Sequence, residues 1–423
     1  MKYSTAILSA TIMHAFIIGA ANAQAISMEE REKELSVLTR ETPEYDRVNI
    51  RFAGLILSPD ITNSLEYTDN LYSSEDNKSE DALHKIRPSL SLRSDFNRHF
   101  ISASLQAEKG TYKKNSDENY LDYTARLSAR ADILGDIHIP VSIEYSKNHS
   151  QRSDPEDQGE LKPTLYNQLI LNTGVDYKGA NIDFLINANL KKLAFKDNAT
   201  PTLFVDNSDR DRNELLISAN IGLAKNRMIS PFIFASLQKI KYDRAVDDNG
   251  LKRSSRGFIG GLGLNINSSS SLLKANIRIG SVSKSFDDTS FSDINALIYS
   301  ADATWEPSSL LALNLAGKRE ITESTLNGFS SSVDDIVSAF AYYELAPSIF
   351  LKPSLSYTVK NYEGDIDRQL KRTNGGVGIT YKINKNLWLL GAYNHIKQSE
   401  DENNINIRTF NSNLYNLSMK LQI

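Results

Sequence analysis

The chain has 423 residues, 48 Lys+Arg against 52 Asp+Glu for a formal charge of −4, and no cysteine. The near balance of charge speaks against nucleic-acid binding, and the missing thiols exclude a disulfide framework, thiolate metal sites and a cysteine nucleophile. A mean hydropathy of −0.38 excludes a bundle of transmembrane helices, though not a transmembrane β-barrel, whose apolar residues fall at every second position.

The first segment reads as an export signal. Lys2 precedes a mostly apolar stretch, Ala6 to Ala21, and Ala21-Asn22-Ala23 forms an A-x-A cleavage site. Residues 1–23 are therefore expected to be removed as the chain leaves the cytoplasm. Residues 24–52 read as a periplasmic segment, with Met28 to Arg40 as one short, highly charged helix that either stays in the periplasm or folds into the lumen.

From residue 53 to 423 the hydrophobic period is two. Leu121, Tyr123, Ala125, Leu127, Ala129, Ala131 and Ile133 alternate with Asp122, Thr124, Arg126, Ser128, Arg130 and Asp132. A strand places these two sets on opposite faces, one apolar and one polar. Eighteen such segments are expected. They fall near 55–68, 84–94, 99–111, 120–133, 136–148, 164–177, 180–195, 210–224 and 228–242. The rest fall near 253–266, 271–286, 294–306, 309–321, 331–346, 348–362, 371–384, 386–398 and 408–422. Alternation is blurred in 228–242, 331–346 and 386–398.

The connections take turns in length. Leu134-Gly135, Lys178-Gly179, Pro307-Ser308 and Ala346-Pro347 are tight, whereas Asp69 to Leu83, His149 to Pro163 and Lys196 to Asp209 are long and polar. Outer-membrane barrels have short periplasmic turns and long outer loops, whereas a soluble sandwich has no cause to segregate its turns. The expected fold is all-β: an antiparallel up-and-down transmembrane barrel over 53–423, with an excess of Tyr for the lipid–water interfaces. Eighteen strands ~4.8 Å apart and tilted ~40° give a backbone diameter of roughly 36 Å, wide enough for an aqueous lumen.

Parity places Arg87, Arg93, Arg126, Arg130, Lys191, Lys274, Arg278, Lys352, Lys360 and Lys382 on the inner face. Glu66, Glu108, Asp122, Asp132, Glu144, Asp183, Glu214 and Asp302 join them. With both signs present, the lining shows no strong ion preference. It reads as a wet, charge-balanced wall or as a track for a polar polymer.

Candidate chemistry is weak. His84, His99, His138, His149 and His395 lack metal-ligand spacing, and no nucleophile motif supports an enzyme. No cofactor is expected. Gly257, Gly260, Gly261 and Gly263 resemble a phosphate loop only in composition, and they lie inside a strand, where glycine more often relieves crowding. The acidic outer loops are candidates for cations that bridge lipopolysaccharide, but solvated loops are the simpler reading.

Residues 43–123 carry a family pattern. It comprises PEYD at Pro43 to Asp46, EYTDNLY at Glu66 to Tyr72 and PSLSLRSDFNRH at Pro88 to His99, then GTY at Gly110 to Tyr112 and NYLDY at Asn119 to Tyr123. In these elements the chain resembles the putative β-barrel porin 2 family. It departs at Ile423, where outer-membrane proteins commonly have an aromatic residue. The resemblance implies a Gram-negative outer-membrane pore for an exopolysaccharide or capsular polysaccharide, fed by a periplasmic export protein. A diffusion porin for small solutes is the alternative, and a structural or surface-interaction barrel a third reading. The expected surroundings are outer-membrane lipid and lipopolysaccharide.

Overall fold

The computed structural model describes residues 37–38, 40, 42–156, 160–200, 204–225, 227–268, 272–364, 366–402 and 405–423. The export signal lies outside these residues. So does the expected helix at Met28 to Arg40, apart from Val37, Leu38 and Arg40.

A short strand, β1 (Ile50–Phe52), leads into β2 (Leu55–Thr68), β3 (Asp81–Ser94), β4 (Phe100–Tyr112) and β5 (Tyr120–Leu134). Next come β6 (Ile137–His149), β7 (Leu165–Lys178) and β8 (Ile182–Phe195). Two-residue strands β9 (Asn198–Ala199) and β10 (Phe204–Val205) pair within the following loop. The wall resumes with β11 (Arg212–Leu223), β12 (Ile229–Tyr242), β13 (Ser255–Ser268), β14 (Leu273–Phe286) and β15 (Ile294–Ser308). It continues through β16 (Leu311–Glu323), β17 (Phe329–Ala346), β18 (Ile349–Gly364) and β19 (Arg368–Lys382). β20 (Leu387–Glu402) and β21 (Ile405–Gln422) complete it.

Each long strand pairs antiparallel with its chain neighbours, and β8 pairs directly with β11. Pairing of β2 with β21, from Asp60↔Gln422 to Thr68↔Leu414, closes the sheet. The result is a closed antiparallel barrel of eighteen strands, β2–β8 and β11–β21, with the eighteen expected segments in the expected order. Closure leaves no backbone edge unpaired around the wall, which a lipid setting demands.

The two faces differ as the period requires. On β5, Leu121, Leu127 and Ile133 are exposed. Asp122, Arg130 and Asp132 on the other face are half-buried. The exposed set recurs around the wall, with Leu65, Leu105, Ile143, Ile186, Ile233, Leu262, Leu355 and Leu417 among it. Tyrosines edge this apolar band on the long-loop side. Tyr393, Tyr415 and Tyr67 form a row on β20, β21 and β2, with ring centroids 5.1 and 6.3 Å apart. On the short-turn side, Tyr177 stacks on Phe184 at 5.2 Å. Rings with a polar tip suit the level where hydrocarbon meets water.

Several long-side connections are shorter than the sequence pattern indicates. Residues 399–407 were expected as a loop, but β20 and β21 pair there up to Glu402↔Ile405. Above the apolar band both faces meet water, so the ladder continues without alternating hydrophobicity to betray it.

Candidate functional site

The face opposite the apolar band is the interior, because segments that cross the barrel touch it. Between β6 and β7, Ser153, Asp154 and Glu156 reach the far wall. Arg372 on β19 donates to the Ser153 carbonyl, and Arg408 on β21 donates to the Asp154 carbonyl at 2.9 Å. The Glu156 carboxylate accepts the backbone N–H of Thr325, at 2.9 Å, and its hydroxyl; Thr325 lies between β16 and β17. Arg152 forms a buried ion pair with Glu118 at 2.6 Å, with Tyr72 beside it. The stretch from Arg152 to Glu156 is thus fastened at four successive points.

Other outer loops brace it. Arg210, which lies over the Phe195 ring, reaches Glu156 at 3.5 Å. Arg253 pairs with Asp247 at 2.7 Å and donates to the carbonyls of Ser324 and Phe329, both at 2.8 Å. A carboxylate and the guanidinium that faces it are both withdrawn from water here, a geometry that is costly to break on one side only. Around the loop the two acids respond oppositely. Burial pushes the Asp154 carboxyl up, and neighbouring Glu156 adds to that. Burial also opposes ionisation of Glu156, but Arg210 and the Thr325 donors outweigh it and hold the carboxyl below its usual range.

From the other end, the described residues among 37–49 contact the interior of the short-turn mouth. Val37 packs on Ala312 and Phe350. Arg40 pairs with Glu344, Asp46 with Lys382 at 3.2 Å, and Arg47 with Asp60 at 3.1 Å. Trp388 donates its indole N–H to the Tyr45 carbonyl at 3.3 Å. The expected periplasmic segment is therefore seated partly inside the barrel mouth over its described part.

The sequence-selected charges share the interior face and fall into ladders. Arg87 pairs with Glu108, Arg126 with Glu144 at 3.6 Å, Arg130 with Asp132 at 2.8 Å, and Lys191 with Glu214 at 2.8 Å. Lys360 pairs with Asp334 at 3.2 Å, and Asp122 accepts from His149 at 2.8 Å. Glu66 pairs with Lys85 at 2.8 Å. Asp183 accepts the Lys225 N–H at 2.9 Å, and Asp302 accepts from Asn314 at 3.3 Å. Arg93 sits opposite Ile56 and Ser102, and Lys274 opposite Asn267 and Thr304. Near the short turns, Asp132 also joins two of the histidines, accepting from the His99 N–H at 3.0 Å and contacting His138 Nδ1 at 2.6 Å.

Sequence reasoning missed the interior aromatics. Phe232 and Phe234 are buried on the same face as Ser230 and Ser236, and Arg278 lies over both rings, at 5.2 and 5.5 Å. Lys352 lies 4.9 Å over Phe340, and Lys382 lies between Phe350 and Trp388 at 4.8 and 4.9 Å. The lumen wall is thus not simply polar: it alternates cations with aromatic faces. Glycines make the room. A Cβ on Gly263 would lie 2.1 Å from the Phe232 ring and one on Gly261 2.2 Å from the Ile279 carbonyl, so these two glycines relieve crowding within the wall. The blurred alternation of 228–242 was the available signal, since both faces there are apolar.

Among the described residues, no three His, Cys, Asp or Glu side chains are grouped to hold a metal ion. No curated protein sequence matches the chain. Solved structures that match include the Pseudomonas aeruginosa outer membrane protein OpdK, at 11% identity and TM-score 0.46, covering 87% of this chain and 99% of that one. The copper transporter OprC matches at 8% identity and TM-score 0.49, over 89% and 82%. The iron transporter FrpB of Neisseria meningitidis matches at 9% and 0.44, over 87% and 81%. A family model matches residues 42–423, nearly the whole of the described barrel, and the chain belongs to the family it defines, Putative beta-barrel porin 2.

Proposed function

We propose that the protein is a passive channel of the Gram-negative outer membrane that admits small polar solutes past a constriction built by residues 150–156. The observation that carries this reading is the anchoring of that loop on the far wall, through Glu156 to Thr325 and through Arg372 and Arg408 to the carbonyls of Ser153 and Asp154. A segment fastened across the lumen divides a wide pore into narrow passages. The paired charges of the wall keep those passages wet without a strong preference for either sign. Removal of residues 1–23 on export belongs to the same reading.

One observation favours a second reading, export of a polysaccharide with the help of a periplasmic partner. Tyr342, Phe350 and Trp388 line the short-turn mouth beside Lys382 and Lys352. Flat aromatic faces with adjacent polar groups suit the apolar faces of sugar rings.

A clean deletion separates the two. Lost uptake of small solutes with normal secreted polysaccharide supports the channel. Lost polysaccharide with normal uptake rejects it in favour of export.

A further inference from the structure

On the outward face of the barrel strands, cations gather at one rim. Lys109, Lys147, Lys192, Lys239, Lys241, Arg256, Arg319, Lys371 and Lys397 all lie towards the long-loop ends of their strands, and the short-turn half of that face carries no Lys or Arg among the described residues. Three of these nine form a cluster. Lys239 on β12 is directly opposite Arg256 on β13, and Lys241 follows two residues along on the same face. All three are exposed.

Like charges placed directly opposite each other in a sheet repel, with Cβ atoms about 5 Å apart. Little nearby offsets this. Asp287 comes no closer to Arg256 than 3.8 Å, and 75% of that arginine side chain stays exposed. Asn213, opposite Lys241, donates to Asp243 at 2.8 Å. One step below the cations, Leu237 is directly opposite Phe258, and they are 58% and 51% exposed. The cluster therefore sits at the upper boundary of the apolar band, where lipid headgroups begin.

We propose that Lys239, Lys241 and Arg256 bind the phosphate of a phosphorylated outer-leaflet lipid whose acyl chains lie on Leu237, Phe258 and the apolar wall beneath. An anion between the facing cations turns a repulsive pair into a clamp, and an acyl chain covers the two exposed side chains below. The proposal rests on the outer-membrane setting and not on which solute the lumen passes.

The test uses the full barrel in detergent with bisphosphorylated lipid A as probe, and native mass spectrometry reads the lipid retained. Wild type should retain this lipid about tenfold better than the same lipid with its phosphates removed. The triple variant Lys239→Gln, Lys241→Gln, Arg256→Gln should lose that advantage. A comparison triple, Lys192→Gln, Lys371→Gln, Lys397→Gln, should keep it. Equal retention of the two lipids by wild type, or equal loss in both triples, overturns the site. Displacement of the lipid by excess inorganic phosphate also overturns it, in favour of a free-anion site. If the first triple does not fold, as heat-modifiable migration on gels reveals, Arg256→Gln alone should still weaken retention of the phosphorylated lipid. No change there rejects the proposal.

Discussion

Glu156 and Thr325 meet across the lumen: Thr325 donates its backbone N–H at 2.9 Å and its hydroxyl to the one carboxylate. The residues are 169 positions apart in the chain. Each lies on an outer loop, and each loop rises from the opposite side of the wall. Releasing this contact should open the passage. Glu156→Ala should raise single-channel conductance in planar bilayers, and deletion of Gln151 to Glu160 should raise it further and increase sensitivity to large antibiotics. Unchanged conductance in both would remove this loop from the constriction.

The two acids of that loop predict opposite responses to pH. The docked loop holds the Glu156 carboxyl below its usual range, so its contribution to docking is present above the ordinary Glu value and is lost as pH falls through the lowered one. Asp154 is raised, so its contribution is full below the ordinary Asp value and fades as pH rises through the raised one. Above the ordinary Asp value, docking must therefore either take up a proton at Asp154 or bury its charge, and both work against it. Asp154→Asn should reduce conductance fluctuations at pH 7. Glu156→Gln should increase them at pH 7 and flatten their rise on acidification. A shared direction for both variants at pH 7 would contradict this assignment.

Charge tolerance should follow the face. Ala129 is exposed on the lipid side of β5, and Arg130, one residue along, pairs inward with Asp132. Ala129→Arg should cost about 2–4 kcal/mol if it lies near the bilayer midplane. Arg130→Ala should assemble normally, because its side chain faces the aqueous interior and not lipid. Urea titration of both barrels in lipid vesicles measures the difference.

Gly263 and Phe232 should be coupled. The ring occupies the space a side chain at Gly263 would fill. Gly263→Ala should therefore cost about 1–3 kcal/mol through overpacking. Phe232→Ala in the same chain should recover most of that, a non-additivity that a double-mutant cycle detects. Additive losses would show that the glycine serves the backbone instead.

The wall was legible because lipid and water impose opposite demands on alternate residues. Leu121 to Ile133 displays both demands cleanly, and the strand position and its inner face follow from it. β12 was harder. Ile229, Ile233 and Leu237 face out while Phe232, Phe234 and Ile240 face in, so period two carries no contrast there. The interior aromatics escaped notice for that reason. The direction of the Ser150–Thr164 loop was open as well. Its polar composition suits solvent and lumen equally, and its partners Arg372 and Arg408 lie more than two hundred residues away. The seat of residues 37–49 was hidden in the same way, since nothing near Asp46 points to Lys382, 336 positions later.

Ser64 and Ser418 share a hydrogen bond of 2.8 Å although 354 residues separate them. They mark the seam where β2 meets β21. All other neighbouring strands in the wall follow one another along the chain, so those ladders can zip from local turns. The seam alone must wait for both ends of the polypeptide to be present. Until it forms, β2 and β21 offer raw edges that any stray strand could capture. The cell therefore has one step to supervise, the sealing of a nearly finished cylinder. Swapping residues along the seam should delay that sealing far more than equal changes between strands that are neighbours in the chain.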